Sequence, residues 1–458
     1  MHRLIFLFFP TLLFGQDALN IDLLDNWQED TLVVNSTNVR YNDCWGYTRN
    51  GQEYALAGST EGIHAFKLTD NNQFVHLDFI EGKYNHSMVV HRDIKTYQNY
   101  AYAVCDEGFS SLQIIDLSYL PDSLHLRTAY DTTFARVHNI FIDEDNALLY
   151  ACTITPSANG SLLPSKSMEV YSLSDPINPT LVYSGPSDIP EVHDCYVRDN
   201  IAYLNCGMDG LRVYDFTNPT NPILLQNITF YLDQGYNHQG WLSPDGSRYI
   251  FGDETNGKRL KNCTVDENHE ITIKNYFGSN YENESVPHNI MLTNDFAYVA
   301  YYNEGLRIFD LRTPVPTEIA HYDTYPDESD FKQEGAWGMY SEFPSGRLLV
   351  SDRQYGLFLF DFRENIFINE SVDEIVDIYP IPLSSESQLT VKLNVDNFKD
   401  FDICVYDLYG NIINRYSVEK RSYAELALEL SAGIYFVQVQ YTDYLDDRIY
   451  ISKKIMIY

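Results

Sequence analysis

One pattern recurs seven times between residues 40 and 362 and constrains the chain more than any other feature. Each copy opens with a His or Trp ahead of a short strand and continues through a second strand. It then turns at an acid or Asn beside Gly and ends on a third strand closing in Asp or a near-equivalent. The fourth copy reads His193-Asp194-Cys195-Tyr196-Val197, Ile201-Ala202-Tyr203-Leu204, then Asp209-Gly210-Leu211-Arg212-Val213-Tyr214-Asp215. The sixth reads His288-Asn289-Ile290, Ala297-Tyr298-Val299-Ala300, then Glu304-Gly305-Leu306-Arg307-Ile308-Phe309-Asp310. The leading positions are Trp45, His91, His138, His193, His238, His288 and Trp337, spaced by 46, 47, 55, 45, 50 and 49 residues. That is the length of a four-stranded propeller blade.

A lone four-stranded sheet of this kind buries its faces only against neighbours, so the copies must stack, and closing the stack into a ring leaves only short edges. The chain is therefore predicted to be all-β: a seven-bladed β-propeller over 31–364, followed by a small C-terminal antiparallel β-sandwich. Third strands are expected at 63–68, 112–117, 168–173, 211–216, 259–265, 306–311 and 357–362. A fourth strand follows an Asn-Pro-type turn such as Asn218-Pro219-Thr220-Asn221-Pro222, where proline stops the third strand. Thr31–Val34 is the candidate for the strand that closes the ring.

The ends of the chain read differently. Met1-His2-Arg3 is basic and Leu4 to Phe14 almost wholly apolar, a signal-peptide layout over 1–15 with a linker over 16–30. No other stretch reaches the ~18 apolar residues of a membrane span, so no transmembrane segment is expected in the mature chain. Acidic residues outnumber basic ones by 65 to 31, a formal charge of −34, which repels nucleic acid and anionic lipid and accommodates a divalent cation such as Ca²⁺. The seven cysteines form no CxxC pair, which disfavours a thiolate zinc site. Cys195 and Cys206 can approach each other across a hairpin, and the odd count leaves at least one thiol free.

Tyr41 to Leu68 (YNDCWGYTRNGQEYALAGSTEGIHAFKL) and His91 to Val104 (HRDIKTYQNYAYAV) resemble the choice-of-anchor B family with LVIVD-type repeats. The resemblance implies an exported propeller whose C-terminal attachment device varies between members, and no established activity. The fifth copy departs most, with Gly252-Asp253-Glu254-Thr255-Asn256-Gly257 in place of the simple turn.

After Phe362 the pattern stops, which places a linker at 365–375 and a new domain at 376–458. That domain resembles the C-terminal sorting domain of the type IX (Por) secretion system of Bacteroidota. Tyr379-Pro380-Ile381-Pro382 stands where Tyr-Pro-Asn-Pro is usual. Val405-Tyr406-Asp407-Leu408-Tyr409-Gly410 and Ser431-Ala432-Gly433-Ile434-Tyr435-Phe436-Val437 follow, then Lys453-Lys454-Ile455 near the end. The resemblance implies the type IX machinery as a partner, and delivery to the cell surface or the medium.

The candidate ligand site is the propeller mouth, where Trp45, His91, His138, His193, His238, His288 and Trp337 enter the innermost strands. Glu61, Glu107, Asn159, Asp209, Asn256, Glu304 and Tyr355, in the turns between second and third strands, stand behind them. Imidazoles beside carboxylates are good transition-metal ligands, which makes His138, His193, His238 and His288 metal candidates. Asp253, Glu254 and Asp352 break the repeat and are further candidates. The competing reading is structural: a His that recurs once per blade can bond an acid in the following turn of its own blade. No GxSxG, HExxH, EF-hand or phosphate-loop motif is present. Three functions are compatible with this inventory. One is a binding propeller for an extracellular protein or glycan; the others are a metal-dependent hydrolase or lyase using the histidine ring, and a structural envelope component.

Overall fold

The computed structural model describes residues 18–130, 132–279, 285–326, 333–362, 376–379, 388–394, 400–407, 412–419, 421–428, 430–442 and 448–457. The expected signal peptide, the linker at 365–375, and Pro380, Pro382 and Gly410 lie outside them.

Among the described residues up to Phe362, seven antiparallel sheets have at least four strands each. Their innermost strands are Tyr41–Arg49, Arg92–Tyr97, Arg136–Asp143, Asp194–Arg198, Asn237–Leu242, Ile290–Leu292 and Ala336–Tyr340. Each of these contacts the next, and the seventh contacts the first, so the sheets close into a seven-bladed propeller. The third strands fall at Gly62–Leu68, Leu112–Asp116, Lys166–Ser172, Leu211–Asp215, Leu260–Val265, Leu306–Asp310 and Gly356–Phe362, within a residue or two of the sequence reading. Blade 3 is the long copy because it carries an extra hairpin, Ser157–Ala158 with Ser161–Leu162.

Ring closure differs from the sequence reading. The outer strand of blade 7 is Ile21–Trp27, paired from Ile21 opposite Phe362 to Trp27 opposite Leu357, and not Thr31–Val34. Ala18–Leu19 adds a fifth strand to blade 6. Residues 18–27 are thus blade, not linker. The physical reason lies in side-chain alternation: Leu24 and Trp27 pack on the apolar core, whereas Val33 and Val34 are exposed.

The recurring glycine has a steric cause. Gly210, Gly305 and Gly356 have φ of +82°, +74° and +91°. A Cβ on them would lie 2.1, 2.1 and 2.0 Å from the carbonyl oxygens of Ile228, Tyr322 and Trp27 in the outer strands. Only glycine lets the outer strand approach there. The arginine of the Gly-Leu-Arg run is buried but paired: Arg212 donates to both oxygens of Asp188 at 2.9 Å, and Arg307 donates to Glu318 at 3.0 Å.

The C-terminal segment forms a three-stranded sheet (Val376–Tyr379, Gln388–Leu393, Tyr423–Ala427) and a four-stranded one (Ile412–Glu419, Asp400–Tyr406, Gly433–Thr442, Arg448–Ile457). One core, including Val391, Leu426, Ile403, Val437 and Ile455, joins the two sheets into a sandwich. Cys404, Tyr406 and Phe436 pack on Val315 of blade 6. Tyr379 is exposed, Tyr435 is buried, and Gly433 opens the long strand opposite Ile457; Lys453 and Lys454 lie on the last strand, paired with Val437 and Phe436. Asp407 ends the strand before the segment that holds Gly410.

Candidate functional site

Six of the seven leading residues form one closed ring around the axis. Neighbouring ring centroids are 5.3 Å apart for His91–His138, 4.1 Å for His138–His193 and 4.5 Å for His193–His238. The circuit continues at 4.2 Å for His238–His288, 4.8 Å for His288–Trp337 and 5.9 Å for Trp337–His91. Blade 1 contributes nothing to it. Trp45, expected as a seventh member, packs edge-on to Tyr340 at 5.1 Å, one layer further along the channel. The reason is register. The hairpins of blades 1 and 4 close at the equivalent pairs Arg49–Gln52 and Arg198–Ile201, and counting back from them Trp45 matches Asp194, not His193. A bulge between Tyr41 and Cys44 shifts the preceding residues.

Hydrogen bonds set the state of each imidazole. His91 Nδ1 pairs with Glu107 at 2.7 Å, the own-blade bond expected of a structural histidine. His138 Nδ1 instead pairs at 2.8 Å with Asp106 of the preceding blade. Tyr236 donates to Glu191 at 2.8 Å, so its oxygen accepts from His193 Nδ1 at 3.0 Å. The His193 Nε2 lone pair then faces His138 Nε2 at 3.1 Å. His288 Nδ1 donates to the Trp337 carbonyl at 2.7 Å. His238 Nδ1 is buried with no hydrogen-bond partner.

Burial opposes charge on His138, but the Asp106 bond and carboxylate outweigh it and raise its pKa. Burial and the neighbouring His138 and His238 hold His193 well below its ordinary value. Burial likewise brings His238 down to about 4 and His288 well below 6.5. Within the ring, His138 is therefore held toward the charged form and His193, His238 and His288 are held neutral, and neutral imidazole is the form that ligates metals.

Of the three acids outside the repeat, only Glu254 reaches the ring. Its Oε1 accepts from Tyr302 at 2.5 Å and from Gln333 at 3.1 Å, while its Oε2 lies 4.0 Å from His238 Nε2. Asp253 is instead wholly buried in a pair with Lys261 at 2.8 Å and accepts from Tyr231 at 2.8 Å. Asp352 accepts from Thr324 at 2.7 Å and from the Gln354 and Tyr355 amides at 2.8 Å, so it builds a turn. His193, His238 and Glu254 each offer a ligand atom, all within 4.8 Å of one another. His138 and His288 stand outside this group. The sequence reading missed Asp106, Tyr236, Glu191, Tyr302 and Gln333; of these, only Asp106, the acid beside the turn residue Glu107, carried a local signal.

Beneath the ring lies a second polar layer. Asp43, Trp45, Lys95, Asn139, Asp194 and Gln239 line a small chamber of about 20 Å³. Lys95 bonds Asp93 at 2.5 Å and lies 3.5 Å from Asp43. Burial raises Asp194 to about 7.

Two family models match segments of the chain. Residues 377–457 match the family described as secretion system C-terminal sorting domain, and residues 288–324 match the LVIVD repeat. No match was found among curated proteins. Among solved structures, a Lactobacillus plantarum protein is similar at 14% identity and TM-score 0.49, over 85% of this chain and 99% of that one. The computationally designed Ika8 protein is similar at 9% identity and TM-score 0.45, over 75% of this chain and 99% of that one. PorZ, a surface component of the type IX secretion system of Porphyromonas gingivalis, is similar at 12% identity and TM-score 0.44. That likeness spans 90% of this chain and 59% of PorZ. The chain is an exported LVIVD-repeat β-propeller that carries a type IX sorting domain and is directed to the cell surface or the medium.

Proposed function

We propose that the propeller is an exported binding module whose recognition end is the imidazole ring, and that it holds a divalent transition-metal ion on His193, His238 and Glu254. The observation that carries this is the setting of Glu254. Tyr302 and Gln333 fix one carboxylate oxygen and leave the other directed at His238. That arrangement is a ligand oriented by an outer layer of hydrogen bonds. Metal-bound N and O atoms at ~2.0–2.2 Å lie roughly 3.3 Å apart in a tetrahedron. Atoms already within 4.8 Å need to close by about 1.5 Å, with His193 releasing the bond from His138 or to Tyr236 as it takes the ion. Three protein ligands leave a fourth position for an extracellular partner group, such as a carboxylate or imidazole of a protein or a sugar oxygen.

Metal analysis of the purified protein tests this. Stoichiometric zinc, nickel or copper is expected, lost in the H193A/H238A double variant and bound roughly 10–100-fold more weakly after Tyr302→Phe. A folded, metal-free wild-type protein that does not take up these ions on titration would refute it.

A second reading draws on the His138–Asp106 pair, which touches His193. A positioned acid–base pair beside a three-ligand metal is the layout of a metal-assisted hydrolase or lyase. Turnover of an extracellular polymer that is lost in H138N, with metal retained, would favour it.

A further inference from the structure

We propose that Cys152 and Cys195 form a disulfide in the mature exported protein and staple blade 3 to blade 4 directly behind the ring. The two sulfurs are 3.6 Å apart and buried together in one apolar cluster with Tyr150, Met168, Val192 and Val197. Cys152 lies on the second strand of blade 3 and Cys195 on the first strand of blade 4, and these strands face each other across the blade interface. The hairpin partner suggested by the sequence, Cys206, turns its sulfur to the Leu204 carbonyl at 3.3 Å. Cys263 and Cys105 likewise face carbonyl oxygens, of Lys261 and Glu107, at 3.7 Å. Only rotation about the two Cα–Cβ bonds and a small approach separate contacting sulfurs from a bond of ~2.05 Å.

Export supplies the chemistry. A chain carrying a type IX sorting domain leaves the reducing cytoplasm, and exported thiols meet thiol–disulfide oxidoreductases. One cysteine thiolate attacks the oxidoreductase disulfide and forms a mixed disulfide; the second displaces it. The two thiol protons pass by way of solvent to the two thiolates released on the oxidoreductase, and the two electrons reduce it to its dithiol. Burial raises the pKa of both thiols and denies access in the closed ring. The bond therefore forms before blades 3 and 4 pack, and packing then shields it from reductants.

The position links the staple to the ring. Cys195 follows His193 by two residues, and Cys152 pairs across its sheet with Asn139, the neighbour of His138. A bond here ties the strand that pairs with the His138 strand to the strand that His193 leads into.

The test uses full-length protein collected from the exported fraction, quenched in acid, denatured and alkylated without reduction. Peptide mapping is expected to show a Cys152–Cys195 crosslinked pair, with the other five cysteines alkylated. Alkylation of both Cys152 and Cys195 would overturn the proposal, and so would either one crosslinked to another cysteine. Thermal unfolding gives a second readout on the same protein. Wild type that has been unfolded and refolded in reductant should melt several degrees below the oxidised protein, whereas C152A/C195A should melt at one temperature regardless of reductant. An oxidised wild type with no such difference also counts against the staple.

Discussion

Glu304 shows how far a single turn residue reaches. It is the acid beside the repeat glycine in blade 6, buried near Arg307, and burial raises its pKa to about 7. Its folded value lies above the ordinary carboxylate value, so its stabilising contribution is complete below pH ~4.5 and is lost as pH rises through 7. The thermal midpoint of wild type should therefore fall between pH 5 and 8 by more than that of E304Q, with a difference of roughly 1–3 kcal/mol in stability. Equal slopes would show that Glu304 is ionised throughout. Next to it, Gly305→Ala should cost roughly 2–4 kcal/mol, measured by denaturant unfolding. The added methyl meets the Tyr322 carbonyl in a left-handed backbone conformation. These residues were visible in the sequence because their constraint is local and repeats. Tyr236, Tyr302 and Gln333 were not, because each acts on a residue of another blade and leaves no periodic trace.

Elements carry the next level of consequence. The strand Ile21–Trp27 completes blade 7 by pairing along Leu357–Phe362. Removing 18–27 should leave the last blade with three strands, lower the thermal midpoint by on the order of 10 °C and open residues 336–362 to limited proteolysis. Unchanged protease resistance would mean the ring closes without it. The repeat predicted the number, order and boundaries of the strands because each blade's alternation and turn chemistry are local. It misplaced the closing strand because Thr31–Val34 has β-branched residues at the right distance, while the true partner is recognised only by packing on a sheet more than 300 residues away. Trp45 failed for a related reason. Its spacing from the other copies is regular, but its distance from the hairpin at Arg49–Gln52 matches that of Asp194, and that register is seen only once the strands are paired.

At the scale of the whole molecule, two cores divide the work. The propeller surrounds the ring, and the sandwich of 376–457 carries the sorting signal in a separate core. Deleting 376–458 should leave a folded propeller in the periplasm, detected by cell fractionation and surface proteolysis. Surface display of the truncated protein would disprove the sorting role. The contact of Cys404, Tyr406 and Phe436 with Val315 predicts that the sandwich also shields that edge of blade 6.

The closure at blade 7 has a further consequence for transit. Ile21–Trp27 is synthesised first, and its partner Gly356–Phe362 emerges more than 300 residues later. During that interval the chain is an arc with two unsatisfied rims, each offering a row of amide and carbonyl groups to any extended peptide nearby. Only arrival of the final blade seals them, so folding and quality control in the envelope both turn on the last segment of the propeller to appear.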